Sequence, residues 1–129
     1  VSGCVLAADA IVDIATGRSV YARAYLVAGV KMGMTFPVSA AAALEAWATV
    51  TPEERILLEL FLDTPTVVVD ELDAAAAQRA GARAHPHPEV AAAHTVDLAL
   101  DRELPVLTGR PVSLWAIAPE IGIEELPEF

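Results

Sequence analysis

Carboxylates set in apolar surroundings are the groups in this chain best placed to do chemistry. Asp9 lies in "VLAADAIV", a continuous apolar run. Burying its charge there is costly unless a cation or hydrogen-bond donors meet it, which marks it as a site candidate. The competing reading is an N-cap or turn acid at a strand end. Asp13 reads as a turn or helix-cap acid. Glu45 interrupts "SAAAALEAWA", where the residues one turn away, Ala41, Ala42, Ala48 and Thr49, leave it unscreened. A solvent-facing Glu on an amphipathic helix is equally compatible with that pattern. Three further acids, Glu89, Asp97 and Asp101, share one predicted helix. Glu89 and Asp97 stand eight residues apart, roughly 12 Å along a helix axis, so only one of them can join a shared ion. Glu89, in the first turn, is the better placed, although first-turn acids are also ordinary dipole partners. Asp97 and Asp101 read as a solvated or salt-bridging face. Together Asp9, Glu45 and Glu89 would offer the hard oxygen donors that a divalent cation prefers.

Other polar residues have structural explanations. Asp70 and Glu71 end a strand and precede a helix, which suits capping. His85 and His87 in "HPHP" lack a Cys or third His at ligand spacing, and His94, amid alanines, reads as a packed, hydrogen-bonded residue. The lone Cys4 reads as a small core residue. No nucleophile elbow, phosphate-binding glycine loop or GxGxxG is present. The segment "PVLTGRP" ends a strand at Thr108 and delivers a cation, Arg110, to a strand end. An inward Arg110 could pair with the acids or grip a phosphate; an outward one is a solvated turn residue.

These residues need elements to position them, and apolar runs alternate with helix-period segments along the chain. "CVLAADAIV" reads as a strand buried on both faces, followed by a helix over 19–33. "TFPVS" is a second strand entering the helix "AAAALEAWATV". Thr51, Pro52 and Glu54 form a strong helix start for a helix ending near Asp63. "TPTVVVDE" is a third strand, and the helix after it stops around Gly81. "AHPHP" is a proline-punctuated loop, Glu89 to Asp101 a helix, "LPVLT" a strand, "PVSLWAIA" a short helix and "GIEEL" a last strand. Such alternation predicts a parallel sheet with helices on both faces. Ligands in such sheets bind outside the carboxyl ends of the strands, which are the ends carrying Asp9, Ser39, Asp70 and Thr108.

The 129 residues fit one domain, 1–129. No stretch approaches the roughly 20 apolar residues of a membrane span, no secretory signal is visible, and one cysteine fits a reducing, cytoplasmic setting. The formal charge of −10 argues against a protein that coats nucleic acid. It leaves open a nuclease whose metal supplies the positive charge, and it suits a basic protein partner.

Taken in order, "VLAADAIVDIATG", "FPVSAAAALEA", "VVVDELDAAAAQRAG" and "HPEVAAAHTVDLALDRELPVLT" resemble the successive segments of PIN-domain proteins, closest to the single-domain VapC-type toxins. The resemblance covers nearly the whole chain; order and spacing carry it more than any one motif. It implies a three-layer α/β/α sandwich with a central, mostly parallel sheet of about five strands. It also implies a Mg²⁺- or Mn²⁺-dependent ribonuclease that dimerises and is inhibited by a cognate antitoxin. By position, Asp9 and Glu45 match the first two acids. Glu89 is nearest to the third, with His87 there in another register. Ala10 and Ile11 replace a small polar residue, and Gly109 and Arg110 stand where an acid is frequent. Since two ions about 3.5–4 Å apart need many negative ligands, the expectation is a reduced site holding one ion through Asp9, Glu45 and Glu89, with Thr108 and Arg110 contacting substrate. The alternatives are a catalytically impaired PIN-like binding or assembly module and an unrelated doubly wound fold binding a phosphorylated or acidic ligand.

Overall fold

The structure, a computed structural model, describes residues 2–127. The elements run β1 (Val5–Leu6), α1 (Ala8–Thr16), α2 (Val20–Lys31), β2 (Phe36–Ser39), α3 (Ala40–Thr49), a 3-10 turn (Pro52–Glu54), α4 (Arg55–Leu62), β3 (Val67–Asp70), α5 (Ala74–Ala84), α6 (Val90–Arg102), β4 (Val106–Thr108), α7 (Val112–Ile117) and β5 (Ile123–Glu125). Every strand pairing is parallel. This is a mixed α/β fold, as strand–helix alternation requires. No helix among the described residues is long and apolar enough to cross a membrane.

The expected single sheet of about five strands is corrected to two: a three-stranded sheet, β1-β4-β5, and a two-stranded sheet, β2-β3. The division has a local cause. β1 is only two residues long because the chain turns into α1 at Ala8. What joins the sheets is one parallel bridge, Gly3 to Thr35, with the Cys4 amide donating to the Thr35 carbonyl at 3.1 Å. Gly3 is required at this seam, since a Cβ there would stand 2.6 Å from the Thr35 carbonyl oxygen.

The apolar run read as one strand is therefore a strand only to Leu6 and a helix from Ala8. Ala8, Ala10, Ile11, Val12, Ile14 and Ala15 are all buried, while Asp9, Asp13 and Thr16, spaced i, i+4 and i+7, form the one partly exposed stripe of the helix. Gly17, in the left-handed region at φ 75°, ends α1. Asp13 is thus a mid-helix residue rather than a cap. The strands bury both faces. Leu6 and Leu107 enter one core with Ile11, Phe36, Val38, Leu58 and Phe61, while Val5 and Val106 enter another with Val96, Ala99 and Leu114.

Polar side chains start the helices, and the Thr51–Glu54 start expected from sequence is among them. Ser39 accepts from the Ala42 amide to start α3, and Thr51 with Glu54 forms a capping box. At α5 the cap is Asp73, which accepts from the Ala76 amide, whereas Asp70 pairs with Arg102 at 2.9 Å. The helix also runs through Gly81 to Ala84. Asp97 takes the salt-bridging alternative, but buried rather than on a face: its side chain is 2% exposed and pairs with Arg79, at 3.0 Å, and Arg83, at 3.2 Å. It clamps α6 to α5.

Candidate functional site

The register of β1 against β4 pairs Leu6 with Leu107, so the residues that follow each strand emerge side by side. The Ala7 amide donates to the Leu107 carbonyl at 3.2 Å. Two residues later Asp9, in the first turn of α1, meets the turn that follows β4. Thr108 donates its hydroxyl proton to one carboxylate oxygen at 2.9 Å, and the Gly109 amide donates to the other at 2.7 Å. The Arg110 amide in turn donates to the Thr108 hydroxyl oxygen at 3.0 Å. Asp9 thereby finds the donors that its semi-buried charge demands, and its position in the first turn of a helix favours a negative group.

Asp9, Glu45, Glu89, Thr108 and Arg110 all line one cleft of about 500 Å³. Glu45 comes from α3, and Glu89 occupies the N-cap position of α6 without a capping hydrogen bond from its side chain. Both are exposed. The two helices are tied beneath them by a buried hydrogen bond between the Ser39 and Thr95 hydroxyls, 3.1 Å apart. Among the described residues, no three His, Cys, Asp or Glu side chains are gathered as a ready ligand set for an ion. The donor chemistry nonetheless suits a hard cation. Each Asp9 oxygen has one protein donor, which leaves acceptor capacity. Glu45 and Glu89 are exposed side chains free to adjust, and Mg²⁺ ordinarily retains several waters.

Two further charged residues line the cleft that the sequence reading did not select, Asp13 and Arg18. Asp13 lies one turn beyond Asp9 on α1, a spacing visible only once the apolar run is read as a helix. Burial first, and then the Asp9 charge, raise its pKa above the ordinary 3.8, while Arg18 and Arg110 oppose the shift. Arg18 follows the Gly17 turn and donates from Nη2 to both Glu54 oxygens at 3.1 Å. Glu54 itself accepts from the Thr51 amide at 3.0 Å. The capping acid thus also holds a cleft cation, across 36 residues of sequence.

The raised carboxyl pKa gives a stability prediction. Between the ordinary value and the folded one, the folded protein binds the Asp13 proton more tightly than the unfolded chain does. Stability therefore falls as pH rises through that window, and the penalty is complete above it. Asp13→Asn is expected to melt higher than wild type at neutral pH. Relief of the repulsion one helical turn from Asp9 contributes about 0.2–0.5 kcal/mol. Melting curves should converge at pH values below the ordinary carboxyl range; an advantage that persists there would assign the effect to something other than charge.

The remaining candidates stay structural. His94 is 3% exposed and its Nδ1 accepts a long, 3.4 Å hydrogen bond from the Ala41 amide. Burial lowers its pKa against the opposing pull of Asp97 and Asp70. Burial pushes the Cys4 thiol up to about 11, so it is protonated at neutral pH and a poor nucleophile. His85 and His87 lie in the link between α5 and α6. No protein-family model matches this chain, and no curated protein sequence matches it.

Proposed function

We propose that the protein is a metal-dependent ribonuclease of the VapC-like PIN type with a one-ion site. The supporting observation is that one cleft, at the carboxyl ends of parallel strands, is lined by Asp9, Glu45, Glu89, Thr108 and Arg110. In this reading the β2-β3 pair and the β1-β4-β5 sheet act as one central layer across the Gly3–Thr35 seam, between helices on both faces, which is the three-layer PIN-like arrangement. Asp9, held by Thr108 and Gly109, would be the fixed ligand, and Glu45 and Glu89 would complete the set that holds the ion. A bound Mg²⁺ or Mn²⁺ would supply Lewis acidity toward the phosphodiester and lower the pKa of a water. The chain supplies the rest. The carboxylates orient the attacking water, the tethered turn keeps Asp9 from swinging away, and Arg110 steadies the substrate phosphate through its forked donors. An RNA substrate, a basic antitoxin, a homodimer and a cytoplasmic location belong to the same proposal.

Calorimetric titration with Mn²⁺ tests it. Wild type should bind saturably near one equivalent, and Glu45→Gln should weaken binding by about tenfold or more, because a neutral amide replaces a hard anionic ligand. Absence of binding below millimolar Mn²⁺ would overturn the enzyme and favour the binding or assembly module.

A further inference from the structure

The charges lining the cleft do not balance. Four acids (Asp9, Asp13, Glu45 and Glu89) and two arginines (Arg18 and Arg110) line it, a net charge of −2 before any ion. A single divalent ion would bring that to neutrality without attracting a polyanion, so attraction for a phosphate backbone must come from how the cations are placed. Most arginines elsewhere are committed. Arg79 and Arg83 serve Asp97, Arg102 serves Asp70, and Arg23 donates to the Ile14 and Ala15 carbonyls. Arg18 and Arg110 line the same cleft as Asp13, and both oppose the rise of its pKa. The Arg18 side chain spends only Nη2 on Glu54, which leaves the Nε and Nη1 donors of the guanidinium for a ligand. Arg110 is exposed, and its backbone is fixed through the Thr108 hydroxyl. Asp13 is the anion of the cleft whose charge both arginines oppose.

We propose that Arg18 and Arg110 form a two-point grip for neighbouring phosphates of single-stranded RNA, with Asp13 as the competing anion that the substrate displaces. This rests on the nuclease reading and adds two things to it: Arg18 as a substrate-binding residue, and a need for contiguous phosphates. Glu54 positions Arg18, which explains why an acid of a helix cap reaches across to the cleft.

The test is fluorescence anisotropy of a short single-stranded RNA on Asp9→Asn protein with Mg²⁺ present, at several salt concentrations. Each phosphate contact on a single strand contributes about −0.7 to the slope of log affinity against log salt. Arg18→Ala and Arg110→Ala should each flatten the slope by about 0.7 and weaken binding about tenfold. Arg18→Lys should retain the slope while losing part of the affinity, since an ammonium keeps the charge without the fork. Asp13→Asn should tighten binding. Unchanged slope and affinity in both alanine variants would overturn the grip and leave metal-dependent cleavage standing. No RNA binding by the parent protein would overturn it as well. Cleavage of the probe by Asp9→Asn protein would exclude Asp9 as a metal ligand, and the arginine comparison would then be read without Mg²⁺.

Discussion

Replacing Arg79 and Arg83 together by alanine is expected to cost about 3–5 kcal/mol of folding free energy, a fall in Tm of about 10–20 °C for a domain of this size. The Asp97 side chain is 2% exposed, while its two partners are about half exposed, at 52% and 39%. The asymmetry decides which side of the network is dangerous to remove. Without the arginines, a buried carboxylate loses all three of the hydrogen bonds they donate and has no opposing charge. Without Asp97, the arginines can rehydrate where they stand. Asp97→Asn should therefore cost less than the double arginine variant, and added to that variant it should restore part of the loss. Single arginine changes should be milder, because one guanidinium remains. Urea unfolding of the variants as a cycle measures the coupling. A double variant within about 0.5 kcal/mol of wild type would show that Asp97 reaches water without them. The effect bears on the cleft because α6 carries Thr95 to its lining and starts beside Glu89.

Asp97 also shows where reading a sequence stops. Its partners lie 14 and 18 residues earlier on another helix, and nothing local distinguishes it from a solvated acid such as Asp101. Features that depend on neighbours in the chain were legible: the Thr51–Glu54 box, the β-branched run of β3, and the strand-end rule that singled out Thr108. The boundary between β1 and α1 was not. Residues 4–12 hold a single polar side chain, Asp9, so that stretch alone carries no period to choose between strand and helix; the helical spacing shows only when Asp13 and Thr16 are added, up to the stop at Gly17. That single ambiguity hid Asp13, whose relation to Asp9 exists only on a helix. It also hid the brevity of β1, and with it the division into two sheets. Arg18 required the Glu54 contact, which no spacing announces. Residues placed by their own element could be found from sequence; residues placed by a distant partner could not.

Asp9→Asn and Asp9→Ala are expected to separate chemistry from scaffold at the same position. In the asparagine variant the side-chain carbonyl can still accept from the Gly109 amide, and the new amide can donate to the Thr108 hydroxyl oxygen. That oxygen already accepts from Arg110 but has two lone pairs, so it can take both donors, and only its own proton loses an acceptor. The fold should hold to within about 1 kcal/mol, yet the anionic ligand is gone. Metal-dependent RNA cleavage should then fall at least about a hundredfold. Alanine removes the charge and both acceptors. It strands the Gly109 amide and a Thr108 hydroxyl that is 1% exposed as a residue, at about 1–3 kcal/mol. Cleavage should be lost in both variants, with a lowered Tm only in alanine. Persistent cleavage in Asp9→Asn would exclude Asp9 as a ligand. Equal melting of the two variants would mean that the turn after β4 keeps its place without the carboxylate. Should both variants melt alike and both lose activity, Asp9 would serve the reaction alone, and the stability of the Thr108–Arg110 turn would have to come from its own internal hydrogen bond and from Leu126, whose amide donates to the Thr108 carbonyl at 2.9 Å.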